Sequence, residues 1–156
     1  FWYPGVALIV AGTAIVVWIV PGPRAVGNVV IDVHTLLYGA MGVVLGMQAL
    51  TFWAFTKVFA VSEGLLPESP RLRQLFRMVN LEVGLVIGGM LILLGLVGSL
   101  AAVGIWSARA FGPLDVGRTM RLVIPSVTLV VLGCQVVLSS FFLSILWIRR
   151  RRAEGP

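Results

Sequence analysis

The sequence predicts an all-α membrane protein with four transmembrane helices, and three observations support this fold class. Of the 156 residues, 59% are hydrophobic and only 12% are charged, whereas soluble domains carry about 25% charged residues. The mean hydropathy is +1.04. Four apolar segments are long enough to cross a bilayer, which takes about 20 residues. Because they use nearly the whole chain, there is little room for a soluble catalytic domain.

The four predicted spans are about residues 3–20, 35–60, 83–106 and 122–148. None alternates polar and apolar residues as a half-buried strand does. In hydrocarbon each backbone amide must be satisfied within its own segment, so helices are expected. The sequence Pro21-Gly22-Pro23 ends the first span because proline cannot continue a helix. We therefore predict one transmembrane domain over 1–152 and a short tail at 153–156.

A sequence repeat links the second and fourth spans. Residues 43–48 (VVLGMQ) recur as 130–135 (VVLGCQ), 87 positions later, and an Asp-Val pair precedes each span. Both copies enter the membrane in the same direction. This favours two parallel-repeat hairpins related by an axis near the membrane normal. Chance similarity between two Val- and Leu-rich helices is the alternative.

The repeat contains two polar side chains in the middle of the membrane, Gln48 and Gln135. An amide facing lipid is costly, so both are predicted to face the bundle interior. Interhelical packing through hydrogen bonds, typically worth about 1 kcal/mol, is favoured over a role in a substrate path. The Gly42/Gly46 and Gly84/Gly88 spacings indicate close helix approach, although Gly-rich apolar sequences produce them easily.

Basic residues are distributed unevenly between the two sides of the predicted bundle. Eight fall on one side and four on the other, and this bias places both termini and the central connection in the cytoplasm, in a cell (inner) membrane. They form no patch with interleaved aromatic residues, so nucleic acid is not an expected partner. The eight are Lys57, Arg71, Arg73, Arg77 and Arg149 to Arg152, and the four are Arg24, Arg109, Arg118 and Arg121.

The central connection is predicted to contain an interfacial helix at about residues 70–79. Ser69-Pro70 is typical of a helix start, and apolar residues follow at helical spacing. Such a helix would lie at the cytoplasmic surface with its arginines at phosphate level. Arg71, Arg73 and Arg77 either set topology and contact bulk anionic lipid, or bind the phosphate of a lipid substrate.

No catalytic or metal-binding constellation is visible in the chain. The carboxylates do not cluster with histidines at ligand spacing, and His34 beside Asp32 lacks a second histidine or a nucleophile. Cys134 is the only cysteine, so it cannot form an intrachain disulfide. No catalytic residue and no cofactor is expected in this chain. Because it begins with Phe1 and no charged segment precedes the first span, we expect a piece of a longer protein without a signal peptide.

Six short segments, in order along the chain, carry a family resemblance: DVHTLLY (32–38), EGLLP (63–67), NLEVG (80–84), FGPLD (111–115), RLVIPS (121–126) and SSFFLS (139–144). They resemble the C-terminal membrane region of bacterial family 2 glycosyltransferases, in particular relatives similar to dolichol-phosphate mannose synthases. The resemblance implies a parent enzyme whose N-terminal cytoplasmic domain, with a divalent metal, transfers a sugar from a nucleotide sugar to polyprenyl phosphate. None of the family's catalytic residues maps onto this chain.

The leading functional interpretation is therefore a membrane domain that anchors a glycosyltransferase and presents its lipid acceptor. Its expected partners are membrane lipids, including polyprenyl phosphate, and a linked or associated catalytic domain. A small transporter or lipid translocator, motivated by the repeat and the paired glutamines, and a structural assembly module are the alternatives. The sequence leaves the sugar, the lipid and the formation of a homo-oligomer open.

Overall fold

The computed structural model describes residues 1–27, 29–63, 81–108 and 115–153. Over these residues it contains four long helices and one small hairpin: α1 (Trp2–Ile19), β1 (Arg24–Val26), β2 (Val29–Ile31), α2 (Val33–Ser62), α3 (Leu81–Ser107) and α4 (Val116–Ala153). All four helices are long and apolar enough to cross a membrane. The predicted fold class is confirmed, whereas the interfacial helix predicted at 70–79 lies outside the described residues.

The largest boundary difference is at the start of α4, which begins at Val116 rather than at about residue 122. Asp115 precedes this helix, and its Oδ1 accepts a hydrogen bond of 3.2 Å from the backbone N–H of Arg118. A side-chain oxygen at this position satisfies one of the amides that a helix start leaves unpaired. Hydropathy does not detect a capped polar turn, so the helix begins before the apolar segment from which the span was predicted.

The β-hairpin between α1 and α2 was not predicted. Its strands are antiparallel, with Arg24 opposite Ile31 and Val26 opposite Val29. Gly27 has φ +60°, a value that glycine adopts readily and that tight hairpin turns require. The sequence signal was the Gly27-Asn28 pair between valines. The Arg24 Nε donates to the carbonyl oxygen of Trp18 at 3.3 Å, which ties the hairpin to α1.

Neighbouring helices in the chain pack antiparallel: α1 against α2, and α3 against α4. In the first pair, Gly5 near the start of α1 lies beside Leu50 in the second half of α2, whereas Gly12, later in α1, lies beside Gly39 near the start of α2. In the second pair, Gly84 near the start of α3 lies beside Ser140, late in α4. The end of α1 therefore lies at the same end of the bundle as the start of α2, and the end of α3 lies at the same end as the start of α4.

The two pairs meet through α2 and α4. Near the starts of these helices, Asp32 contacts Arg121. Nearer their ends, the rings of Phe55 and Phe142 are 4.6 Å apart. The start of α2 thus contacts the start of α4, and residues late in α2 contact residues late in α4. The two helices therefore run parallel.

Glycine permits the closest approaches within each pair. A Cβ atom added to Gly46 would lie 2.6 Å from the Gly5 carbonyl oxygen, and one added to Gly133 would lie 2.6 Å from the Gly88 carbonyl oxygen. Real Cβ atoms essentially never come so close, so these backbones are in contact. The predicted small-residue packing is confirmed at Gly46 and Gly88. Gly42 is looser, since a Cβ there would be 3.6 Å from its nearest neighbour.

Equivalent positions make these contacts in the two pairs. Gly5 meets Gly46, and Gly88 meets Gly133; these residues are related by 83 positions in the first helix of each pair (88 − 5) and by 87 in the second (133 − 46). A duplicated hairpin would produce this correspondence. The duplication itself stays a prediction.

Large apolar side chains lie mainly on the outside of the bundle. Within the described residues the buried hydrophobic set is small: Ile19, Leu36, Ala40, Val58 and Ala102. Many exposed leucines, valines and phenylalanines cover the helices. In water such a surface would aggregate, but in a bilayer it contacts lipid at no penalty.

The glycine contacts generate a test with neighbouring residues of α3. A Cβ on Gly88 would lie 2.8 Å from the Gly133 oxygen, whereas one on Gly89 has nothing within 4 Å. Gly88→Ala should destabilise the fold by about 1–3 kcal/mol through overpacking. Gly89→Ala should leave stability unchanged or raise it by up to about 1 kcal/mol, because alanine favours helix. Unfolding by SDS in mixed micelles, followed by circular dichroism, measures both. Equal losses in the two variants would contradict the packing described.

Candidate functional site

The predicted lipid-phosphate residues Arg71, Arg73 and Arg77 lie outside the described residues, so their positions stay a prediction. The described chain defines the elements on either side of them. α2 ends at Ser62, and α3 begins at Leu81 with Glu82 in its first turn. The end of α2 and the start of α3, which flank residues 64–80, lie at the same end of the bundle.

We call this end of the bundle the basic end: it comprises the starts of α1 and α3 and the ends of α2 and α4. Since α2 and α4 run parallel, the arginines of 149–152, in the last turns of α4, belong to the same end as the 64–80 connection. Lys57 and the backbone of Arg149 to Arg152 lie at this end. Arg71, Arg73 and Arg77 belong to the connection whose flanking helix ends lie here, and their own positions stay a prediction.

Aromatic contacts join the helices at the basic end. The rings of Trp2 and Trp53 are 4.8 Å apart, and those of Phe1 and Phe52 are 5.0 Å apart. Aromatic side chains are favoured at membrane interfaces, and such ring pairs contribute about 0.5–1.5 kcal/mol beyond area burial. They hold α1 on α2 close to where the basic connection departs.

An ion pair joins the two helix pairs at the opposite end. The Nη2 and Nε atoms of Arg121 donate to Asp32 Oδ1 at 2.6 and 3.1 Å. The Arg121 side chain is only 16% exposed and that of Asp32 is 31% exposed. Gly117 lies beside the pair, since a Cβ there would be 3.4 Å from Asp32 Oδ2. The charge of Arg121 is compensated within the protein.

Sequence reasoning missed this ion pair and considered Asp32 together with His34. His34 is exposed, and Asp32, although it is the N-cap residue of α2, makes no side-chain cap hydrogen bond. The available signal was Arg121 at the edge of an apolar run. A charged side chain there needs a partner, and acidic residues at the same end of the bundle are the candidates.

The two glutamines of the repeat differ in exposure. Gln135 is half-buried, but Gln48 is exposed on the outside of the described bundle. Gln48 therefore lies on an outer side of α2 within the described bundle, and the packing role of the two amides stays a prediction. Within the chain, the two amides do not line one path.

Hydroxyl groups in α4 are satisfied by their own helix. The Oγ atoms of Ser126 and Ser140 donate to carbonyl oxygens four residues earlier, at 2.6 and 2.8 Å. Both serines are buried. They can therefore serve as small contact residues against α3 without leaving a polar atom unpaired in hydrocarbon.

The described residues contain no group of three or more histidine, cysteine, aspartate or glutamate side chains that could hold a metal ion. What the geometry defines is a multi-pass membrane bundle with a basic end and, at the opposite end, an ion pair between Asp32 and Arg121. The chain matches the family described as the glycosyltransferase family 2 C-terminal transmembrane region over residues 54–147, more than half of its length. It belongs to this family and is the membrane region of a family 2 glycosyltransferase. Neither the curated proteins nor the solved structures yielded a match.

A double-mutant cycle tests the ion pair. Because the pair is hydrogen-bonded and mostly shielded from water, Asp32→Ala and Arg121→Ala should show a coupling energy of about 1–2 kcal/mol, between the values for exposed pairs and buried charged hydrogen bonds. SDS unfolding of both single variants and the double variant measures it. In a parallel cycle, Asp115→Ala with Arg121→Ala should couple much less, since Asp115 caps its own helix. Additive losses for Asp32 and Arg121 would argue against the contact.

Proposed function

We propose that this membrane region anchors a nucleotide-sugar-dependent catalytic domain and presents polyprenyl phosphate to it at the cytoplasmic face of a cell membrane. The grouping of basic residues at one end carries the proposal. A polyprenyl phosphate has a chain that belongs in the bilayer and a phosphate that belongs at its surface. Arginines at the membrane surface suit that phosphate, because guanidinium groups form paired hydrogen bonds with phosphate oxygens.

The helix arrangement supports a role for the central connection. The 64–80 segment joins α2 to α3 and so bridges the two helix pairs at the basic end. A phosphate held by Arg71, Arg73 and Arg77 would lie above the junction of the pairs. α1 begins at this end as well, so a catalytic domain joined before Trp2 would lie on the same side as the acceptor phosphate.

Family membership supports the enzymatic context. The chain belongs to the membrane region of family 2 glycosyltransferases, so sugar transfer would be performed by a domain outside these residues. The divalent metal belongs to that domain in our proposal. The transporter alternative loses its motivation, because Gln48 lies on the outer surface and the two amides form no shared path inside the chain.

Exchange of the connection arginines tests acceptor binding. Replacing Arg71, Arg73 and Arg77 with glutamate in the full-length enzyme should raise the KM for polyprenyl phosphate about tenfold or more, equivalent to about 1.4 kcal/mol. The KM for the nucleotide sugar should not change. The matched control replaces Arg149, Arg150 and Arg151 with glutamate, which removes the same charge from the same end. If both triple variants weaken acceptor use equally, the arginines act through bulk membrane electrostatics and the proposed site is wrong.

Site-specific labelling tests the orientation. Glu63 follows α2 at the basic end, and Val116 begins α4 at the other end; both are exposed. With Cys134 replaced by alanine, Glu63→Cys should react with a membrane-impermeant maleimide in inverted vesicles but not in intact spheroplasts, and Val116→Cys should show the reverse. The opposite labelling pattern would place the basic end outside the cytoplasm and exclude the proposal.

A further inference from the structure

Both α2 and α4 have a stripe of exposed residues in addition to the sides that meet other helices. The uncovered side of α2, which we call the free α2 face, contains Leu37, Met41, Leu45 and Gln48. The free α4 face contains Val127, Val131, Cys134, Leu138 and Ile145. Both sets follow spacings of three, four or seven residues, so each forms one stripe along its helix.

The repeat, with its offset of 87 positions, identifies the residues of α4 that correspond to the free α2 face. Adding 87 to the free α2 face gives Ile124, Thr128, Leu132 and Gln135, and all four are half-buried. Gln135 is covered where Gln48 is exposed. The side of α4 that carries these residues also carries Arg121, which contacts Asp32 of α2.

The free α4 face has a covered counterpart too. Subtracting 87 gives Ala40, Val44, Met47, Thr51 and Val58 on α2. Ala40 and Val58 are 4% and 7% exposed, and the other three are half-buried. Helical spacing places Ala40 and Val58, five full turns apart, about a third of a turn from the Gly39 and Gly46 side that meets α1. Because α1 covers the glycine side, we assign this second covered side of α2 to its contact with α4.

The two helices therefore meet by unlike sides. α2 uses the side equivalent to the free α4 face, and α4 uses the side equivalent to the free α2 face. A contact between unlike sides is a head-to-tail contact. It leaves one of the two sides exposed on each helix, the free α2 face and the free α4 face, and these two sides can form the same contact again. Since α2 and α4 run parallel, repeating the contact keeps every copy in the same orientation across the membrane.

We infer that the free α2 face binds the free α4 face of a second copy of this chain, repeating between molecules the contact that joins the two helix pairs within one. The arrangement covers Gln48, whose amide would otherwise face lipid. It also explains why the two equivalent glutamines differ in burial: one is covered within the chain and the other by a neighbour. Closure of the series gives a ring of like-oriented copies.

The repeat predicts which residues meet across this interface. Within the chain, contacting residues of α2 and α4 are 89 positions apart for Asp32 and Arg121 and 87 apart for Phe55 and Phe142 (142 − 55). Midway between these two contacts the separation should be about 88 positions, which is expected to place Met47 opposite Gln135. Shifting both by 87 positions places Cys134 of one copy opposite Gln48 of the next. Leu45 and Val131 are paired in the same way, one turn away.

Cysteine cross-linking tests the interface in membranes containing the full-length protein, with any cysteines outside these 156 residues replaced. Gln48→Cys, with the native Cys134, should give covalent dimers or larger species upon oxidation with copper phenanthroline. Adding Cys134→Ala should abolish them. Leu93→Cys is the depth-matched control: it is 64% exposed on α3, near the level of Cys134, and should give no oligomers.

A second pair protects the test against a local effect of one substitution. Leu45→Cys with Val131→Cys, in the Cys134→Ala background, should cross-link in the same manner. Cross-links that survive Cys134→Ala in the Gln48→Cys chain would indicate a symmetric contact between two α2 helices and overturn the inference. Absence of cysteine-dependent oligomers for both pairs would overturn it as well.

Discussion

Backbone contact at glycine is the constraint on which the arrangement of this bundle depends. In water, helices associate because their apolar faces leave the solvent, but lipid tails are as apolar as leucine and provide no such drive. Attraction must then come from atoms in van der Waals contact. At Gly46 and Gly133 a Cβ would lie 2.6 Å from a facing carbonyl oxygen, so the helices approach as closely as backbones can. These contacts set which sides of α1 and α3 are turned inward, and the remaining apolar surface is left to lipid.

Within the described residues, polar and aromatic contacts join the helix pairs at two levels of the bundle. The Asp32–Arg121 pair joins the two helix pairs at one end, and aromatic contacts join them toward the other. Between these levels, buried serines are satisfied by carbonyl oxygens of their own helix. Gln48 departs from this pattern because its amide is exposed at the middle of a span. Gln135, the equivalent residue of α4, is covered within the chain, and we infer that a neighbouring copy covers Gln48.

The functional and oligomeric proposals concern different surfaces. Acceptor binding is proposed for the basic end, where a lipid phosphate would meet arginines. The intermolecular contact is proposed for the outer sides of α2 and α4, at the depth of the acyl chains. A ring of like-oriented copies would present each basic end, and any catalytic domain joined to it, on one side of the membrane.

The sequence by itself determined the four spans, the family and the grouping of basic residues, because length, hydropathy and charge position are properties of the chain alone. It did not determine which side of each helix meets which neighbour. In a soluble helix an apolar stripe marks the buried side, but here every side is apolar, so that signal is absent. The exposure of Gln48, the pairing of Arg121 with Asp32 and the unlike sides used by α2 and α4 were decided only by tertiary contacts. Each depends on which sides of neighbouring helices meet.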